Sequence, residues 1–170
     1  MDYPEPKKGL VINYKFLWKS DTEKGLGEGT KARPCMIAGL RADEAGNVLV
    51  SVMPITHTPP EKGVPAIELK SALKAHLGLD EKRQWLKTHE INRFTWPART
   101  DLMEIEGGPH RGRFHYAQMP NALGREAVQQ FQIHVEQGRE ARLSRDFNPR
   151  AEMDKFRKEM ERGKNKNRER

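Results

Sequence analysis

The stretch that decides the fold is KARPCMIAGL, residues 31–40, in which an arginine and a proline precede an apolar run. Its last six residues predict a buried strand. The segment NVLVSVM, residues 47–53, predicts a partner strand, and the turn former Gly46 lies between the two. We therefore predict a β-hairpin. Pro34 restricts Arg33 to extended conformations, so Arg33 is expected on a rigid element at the start of the first strand.

The segments around this hairpin carry strand and helix patterns in turn. Residues 10–18, LVINYKFLW, are rich in β-branched and aromatic side chains and predict a first strand. Residues 83–96 predict one or two further strands, and residues 70–79 predict one or two helical turns. Apolar side chains recur every four residues over 120–135 and predict an amphipathic helix that stops at Gly138. This order predicts a mainly β (α+β) domain, a small barrel closed by the last helix.

The positive charge is concentrated after that helix. The 170 residues carry a net charge of +7, and residues 139–170 hold 12 Lys and Arg against 7 Asp and Glu, or +5. Few apolar residues occur in this part, and its last eight residues contain none. We therefore predict one domain over residues 1–138 and a basic tail over 139–170 that is partly helical or disordered.

Composition excludes several classes of protein. A single cysteine, Cys35, forms neither an internal disulfide nor a CxxC metal motif, and His110, His115 and His134 have no metal-ligand spacing. No run approaches the roughly 18 apolar residues of a membrane span, and the N-terminal residues contain no apolar core of a signal peptide. We expect a soluble cytoplasmic protein without a metal, a cofactor or a membrane partner.

The order of motifs resembles the MazF/PemK family of toxin endoribonucleases. A strand after KKG, ARP leading into a buried strand, and a strand ending in MPIT carry the resemblance, and HEINRF with the final helix fits the later elements. The resemblance runs from about residue 8 to residue 138. It implies an SH3-like small barrel of the MazF/PemK/CcdB type and a homodimer. It also implies metal-independent cleavage of single-stranded RNA at short sequences, and inhibition by a cognate antitoxin.

The resemblance also implies functional residues. The family's functional arginine corresponds to Arg33 in the RP pair, and its threonine or serine corresponds to Thr56 at the end of MPIT. Its strand-four glutamate and the arginine that follows correspond by position to Glu90 and Arg93. Lys31 beside the ARP motif is a further candidate for contact with RNA.

These residue types suit the chemistry of metal-free RNA cleavage. A base must deprotonate the 2′-hydroxyl, an acid must protonate the leaving 5′-oxygen, and donors must stabilise charge on the phosphate. Arg33 offers a planar fork that matches phosphate, and Thr56 offers an uncharged hydroxyl donor. His57 beside Thr56 is the first candidate for the base, because histidine titrates near neutral pH. His89 and Glu90 are the alternatives.

Two other functions remain open for this sequence. One is a barrel toxin that poisons DNA gyrase, which needs its binding determinants at the end of the last helix, where residues 134–143 show no such pattern. The other is a noncatalytic barrel that binds RNA or a protein. Trp96, in a loop before Pro97, is expected to stack on a base if RNA is bound.

Overall fold

In the part of the chain that the structure describes, the predicted hairpin lies at the centre of a sheet of eight strands, accompanied by three helices and a further helical segment. These elements belong to a computed structural model that describes residues 2–25, 31–146 and 156–163. In chain order they are β1 (Leu10–Lys15), α1 (Lys19–Glu23), β2 (Ala32–Ala42), β3 (Val48–Thr56), β4 (Ile67–Glu68), α2 (Ser71–Leu77), β5 (Trp85–Leu86), β6 (Glu90–Thr95), β7 (His115–Gln118), α3 (Asn121–Glu136) and β8 (Ala141–Ser144). A further helical segment covers residues 156–163.

The eight strands form one curled sheet. Its main path is β4-β5-β3-β2-β1-β7, and β6 joins β3 to β8. The pairs are antiparallel except for β6 and β8, which run parallel. One edge of β3 is shared, because residues 49–52 pair with β6 while Ile55 and Thr56 pair with β5. The sheet curls into a half-barrel, so the predicted mainly β fold is confirmed, and it fits a small barrel.

The register of the central hairpin fixes which side chains are neighbours. In β2 and β3, Cys35 lies opposite Pro54, and Ile37 lies opposite Val52. A bulge follows between Ile37 and Gly39. The hairpin predicted from residues 31–53 is therefore confirmed, and β1 pairs with the other edge of β2.

Both faces of the sheet are buried. Ile12, Cys35 and Ile37 belong to one hydrophobic cluster, whereas the intervening residues Val11 and Met36 belong to a second cluster, to which α2 and α3 also contribute. This division follows from the alternation of side chains along a strand. Strands that are buried on both faces have nearly continuous apolar sequences. This burial on both faces explains why the sequences of the central strands are nearly continuous apolar runs.

The helices confirm two predictions and add one element. α2 ends at Gly78, which adopts a left-handed conformation with φ of +74°, and α3 ends just before Gly138. The strand predicted over residues 10–18 was too long, because β1 ends at Lys15. Residues 19–23 form α1, a five-residue helix without a buried side chain, which no apolar pattern in the sequence predicts.

The segment predicted as a tail begins with a strand. β8 pairs with β6, with Glu90 opposite Ala141 and Arg93 opposite Ser144. Ordered structure therefore continues beyond residue 138. The predicted disorder at the C-terminus falls on residues 164–170, which lie outside the described residues. Among the helices described, none has both the length and the apolar character that crossing a membrane requires.

Candidate active site

Arg33 and Thr56 lie side by side where β2 begins and β3 ends. Nη1 of Arg33 donates a hydrogen bond of 3.4 Å to Oγ1 of Thr56. The register explains this contact. Cys35 faces Pro54. Arg33 lies two residues before Cys35 and Thr56 lies two residues after Pro54, so in these antiparallel strands both side chains are on the same face and next to each other. The structure thus brings together the two residues that the sequence motifs selected.

The hydroxyl of Thr56 keeps its proton available. Its oxygen accepts hydrogen bonds from Arg33 and from the backbone N–H of Thr58, the latter at 3.2 Å. Both bonds use the oxygen as an acceptor, so the O–H remains free to donate to a ligand. Because Thr56 is buried, this donor is held in place before any ligand arrives.

The pair opens into a polar cleft of about 610 Å³. The cleft is formed by the ends of β2 and β3, the start of α1, the connection between β5 and β6, and the segment that follows α3. Its charged or titratable lining residues are Lys19, Arg33, Glu61, Lys87, His89, Glu90, Arg139 and Glu140. A cleft with this lining suits a charged ligand better than an apolar one.

The guanidinium of Arg33 has donors that the protein does not use. Its Cζ lies 5.2 Å from the centre of the Trp18 ring, an arrangement that orients the fork by cation–π contact. Its Nε is buried without a hydrogen-bond partner, and no carboxylate pairs with Arg33 in the part of the chain that the structure describes. Within the described residues only Nη1 of Arg33 makes a hydrogen bond, so the fork keeps Nη2 free for a ligand.

Glu90 contributes a carboxylate to the same cleft. Its Oε1 accepts a hydrogen bond of 2.8 Å from the backbone N–H of Lys19, and its Oε2 lies 3.6 Å from Nε2 of His89. Burial raises the pKa of Glu90 above its ordinary value, although the N–H of Lys19 opposes the shift. A carboxylate with a raised pKa is a stronger base, so Glu90 has the properties of a general base.

His89 lies beside Glu90 but is kept neutral. Burial, followed by the neighbouring His134 and Lys87, lowers the pKa of His89 to about 4. Its ring centre lies 5.4 Å from that of His134, and its Nδ1 is buried without a partner among the described residues. At neutral pH this imidazole is therefore uncharged, so it has no imidazolium proton to donate as an acid.

A buried network holds the far wall of the cleft. His134 of α3 is fully buried, and its Nε2 lies 3.1 Å from the carbonyl of Pro65 and 3.0 Å from Oγ1 of Thr88. Nε of Arg139 donates to Nδ1 of the same ring at 3.2 Å. Nδ1 is therefore the acceptor, and Nε2 carries the hydrogen. The network fixes Arg139, a lining residue, against the end of α3.

The structure separates His57 from this cleft. Nε2 of His57 lies 2.9 Å from a carboxylate oxygen of Asp80, and both residues line a second depression of about 400 Å³ that also contains Tyr116. Adjacent strand residues point to opposite faces, so Thr56 and His57 diverge. Of the three candidates for the base, Glu90 and His89 share the cleft with Arg33, and His57 does not.

The three residues predicted to contact RNA are not brought together. Lys31 is exposed just before β2, and Arg93 is exposed on β6 opposite Ser51. Trp96 packs against the first hydrophobic cluster, with its ring stacked 6.2 Å from that of Phe94. None of the three lines the cleft that contains Arg33.

Sequence reasoning gave no role to Lys87, which also lines the cleft. The residue is only 7% exposed, and burial lowers the pKa of its ammonium group. A signal was present in the sequence, because the alternating segment QWLKTHE places a lysine within a half-buried strand pattern. Trp18, beneath Arg33, was likewise unassigned.

Neither a metal site nor a similar protein identifies the function of the cleft. Within residues 2–25, 31–146 and 156–163, no group of three or more His, Cys, Asp or Glu side chains is arranged to hold a metal ion. Comparisons with protein-family models, with curated proteins and with solved structures found no match. The candidate function therefore rests on the geometry of the cleft.

Proposed function

We propose that the chain is a toxin-like endoribonuclease of the MazF/PemK type, with an SH3-like barrel, that cleaves single-stranded RNA at specific sequences without a metal ion. The observation that carries this proposal is the 3.4 Å contact between Arg33 and Thr56 in a cleft that also contains Glu90. Two donors held together on rigid strands suit the nonbridging oxygens of a phosphate, where charge develops in the transition state.

The reaction uses the RNA's own 2′-hydroxyl as the nucleophile. Glu90 accepts its proton, and the oxygen attacks the adjacent phosphorus. Arg33 and Thr56 donate hydrogen bonds to the nonbridging oxygens, and Nη2 of Arg33, which makes no hydrogen bond within the described residues, is available for a second bond. The bond to the 5′-oxygen breaks, which yields a 2′,3′-cyclic phosphate and a 5′-hydroxyl. In this assignment Glu90 replaces His57 as the base, because His57 lies in a separate depression, whereas Glu90 lines the cleft with Arg33.

The setting of the activity is part of the same proposal. By the family resemblance, the enzyme acts in the cytoplasm as a homodimer, and a cognate antitoxin blocks it. Lys31 and Arg93 are exposed cations outside the cleft. Their contribution to RNA binding is therefore electrostatic and weakens with salt.

The decisive experiment incubates the purified full chain with a long mixed-sequence RNA in the presence of EDTA. We expect discrete fragments that end in 2′,3′-cyclic phosphate. A matched RNA with a single 2′-deoxynucleotide at the mapped cleavage site must resist cleavage, because its nucleophile is missing. Intact RNA together with gyrase inhibition supports the gyrase-poisoning barrel instead. Intact RNA that is bound supports a noncatalytic RNA-binding barrel.

A further inference from the structure

We propose that Lys87 is the general acid of this site and donates a proton to the 5′-oxygen as it leaves. The inference rests on the proposed function and deepens it, since the resemblance implied no residue for this step. It assigns a catalytic role to a second cationic side chain that lines the cleft together with Arg33.

The strand order places Lys87 within reach of the phosphate site. Strands β5, β3 and β2 are consecutive neighbours. The backbone N–H of Lys87, just after β5, donates to the carbonyl of Pro54 at 2.9 Å, and Pro54 faces Cys35 on β2. Thr56 lies two residues after Pro54 and Arg33 lies two residues before Cys35, so the three side chains share one face. Two strand spacings and an offset of two residues along the strands separate the backbones of Lys87 and Arg33 by on the order of 12 Å, which leaves room for a phosphodiester between their side chains.

A comparison with Lys74 shows that the hydrogen-bond donors of the Lys87 ammonium group are not used by the described part of the protein. Both lysines are buried, at 6% exposure for Lys74 and 7% for Lys87. Nζ of Lys74 donates to two backbone carbonyls, those of Glu81 and Lys82, each at 2.9 Å. Nζ of Lys87 makes no hydrogen bond or ion pair with any residue that the structure describes, although Glu61 and Glu90 act on it electrostatically across the cleft. Nζ of Lys87 is not one of the buried nitrogen atoms that lack a partner, so the ammonium group is accessible and its donors are free to meet a ligand in the cleft.

The other basic side chains of the cleft are less suited to the acid role, and Lys19 among them is exposed to solvent. A guanidinium is not deprotonated in proteins, which excludes Arg33 and Arg139. His89 has a pKa lowered to about 4 and is neutral at physiological pH. Burial lowers the pKa of Lys87 and so makes its ammonium group a better proton donor than an exposed lysine.

The step balances with the groups present. As the bond between the 2′-oxygen and phosphorus forms, the bond between phosphorus and the 5′-oxygen breaks, and its electron pair stays on that oxygen. The oxygen takes a proton from Lys87 and leaves as a hydroxyl. Glu90 holds the proton from the 2′-hydroxyl, and exchange with water restores both groups. No oxidant, reductant or cofactor is consumed.

The test compares two RNA substrates that differ in one atom at the cleavage site, a natural 5′-oxygen or a 5′-bridging sulfur. A thiolate leaves without protonation, so only the oxygen linkage needs the acid. We expect Lys87→Ala to lower the cleavage rate of the oxygen linkage at least about 100-fold and that of the sulfur linkage only a few-fold. Lys87→Arg, which keeps the charge but not the acid, should behave in the same way. Lys70→Ala, on an exposed lysine outside the cleft, is the matched control and should change neither rate.

Three further results decide the matter. Equal losses on both linkages, or no loss on the oxygen linkage, overturn the acid role of Lys87. If the wild-type protein cleaves neither RNA, the proposed function itself fails. Should both variants fail to fold, the wild-type protein still provides the test. Its cleavage of the oxygen linkage must decline at alkaline pH as Lys87 loses its proton, whereas cleavage of the sulfur linkage must not, and identical alkaline limbs contradict the proposal.

Discussion

Two partly buried arginines of this chain have opposite surroundings. Arg145, just after β8, has a side chain that is 6% exposed, and Nη2 donates to Asp101 at 3.2 Å. Its Nη1 contacts three more acceptors, the carbonyl of Lys15 at 2.8 Å and the side chains of Tyr14 and Asn92 at 3.3 Å each. Arg33 has one long hydrogen bond to Thr56 and a buried Nε without a partner among the described residues.

The difference separates a structural charge from a functional one. The contacts of Arg145 join β8 to β1 and to the turn that contains Asp101, so its charge is compensated inside the fold. The fork of Arg33 is aligned by Trp18 but not neutralised. A cation that the protein leaves unpaired in a cleft is available to an anionic ligand. The following predictions test whether this contrast between the two arginines holds.

The largest expected effect is on stability, at Arg145. Arg145→Ala should lower the free energy of unfolding by about 3–5 kcal/mol, because the carboxylate of Asp101 and several carbonyl acceptors lose their buried partner. Urea denaturation measures the change. Arg93→Ala, on an exposed arginine of β6, is the control and should stay within about 0.5 kcal/mol of the wild type. A decrease in the free energy of unfolding of less than about 1 kcal/mol for Arg145→Ala contradicts the structural role of Arg145.

The converse is expected for Arg33. Arg33→Ala should lower RNA cleavage by about 10²–10³-fold, as the removal of one preorganised donor typically does. Its stability should change by no more than about 1 kcal/mol, because the substitution also removes a buried donor that had no partner. Cleavage assays and urea denaturation on the same preparations measure both quantities. Arg41→Ala, on an exposed arginine at the far end of β2, is the matched control, and full activity in folded Arg33→Ala contradicts the assignment.

The central fold could be predicted because its contacts are local. The strands around residues 31–53 are joined by a short turn, and their apolar runs face two buried clusters. β8 could not be predicted in the same way. It is four residues long, its Arg142 and Ser144 are exposed, and its parallel partner β6 lies about fifty residues earlier in the chain. Local pattern carries no information on such a distant pairing.

The site was predictable only as far as strand motifs reach. Arg33 and Thr56 follow from two motifs in one hairpin, whose register makes them neighbours. His57 was favoured for its position in the sequence, but alternation along the chain sends it to the other face, towards Asp80. The alternating segment QWLKTHE contained a signal for Lys87, but its place in the cleft required the structure, because its burial depends on how the segment after β5 packs against β3.

A pH experiment extends the contrast from arginine to histidine. His89, like Arg33, is partly buried in the cleft, and burial lowers its pKa to about 4 although a carboxylate oxygen of Glu90 lies 3.6 Å away. Between about pH 6.5 and pH 4 the unfolded chain binds the proton and the folded chain does not, so the stability from neutral His89 is lost as pH falls through this window. The pKa of Glu90 is raised in the folded protein, so its contribution to stability increases as pH falls. This contribution is present in both the wild type and the variant.

We therefore expect the stability difference between wild type and His89→Asn to depend on pH. The free energy of unfolding of the wild type, relative to the variant, should fall by on the order of 1–3 kcal/mol from pH 7 to pH 4. The side chain is 23% exposed, so solvent keeps the effect towards the lower end. Urea denaturation at both pH values measures it. A difference that does not vary with pH shows that the cleft tolerates a charged histidine, and the contrast with Arg145 weakens.

The smallest effect is expected for a third arginine, whose charge is already solvated at the protein surface. Arg142 on β8 is exposed, and its Cζ lies 5.3 Å from the centre of the Phe131 ring of α3. A cation–π contact at an exposed site contributes about 0.5–1 kcal/mol, so Arg142→Ala should lower the free energy of unfolding by that amount and leave RNA cleavage unchanged. A double-mutant cycle with Phe131→Leu isolates the contact from the packing of the ring. A coupling energy near zero shows that the lost stability comes from β8 itself and not from the contact with Phe131. A coupling energy as large as the stability lost in Arg145→Ala contradicts the view that an arginine stabilises this fold according to its burial and its number of partners.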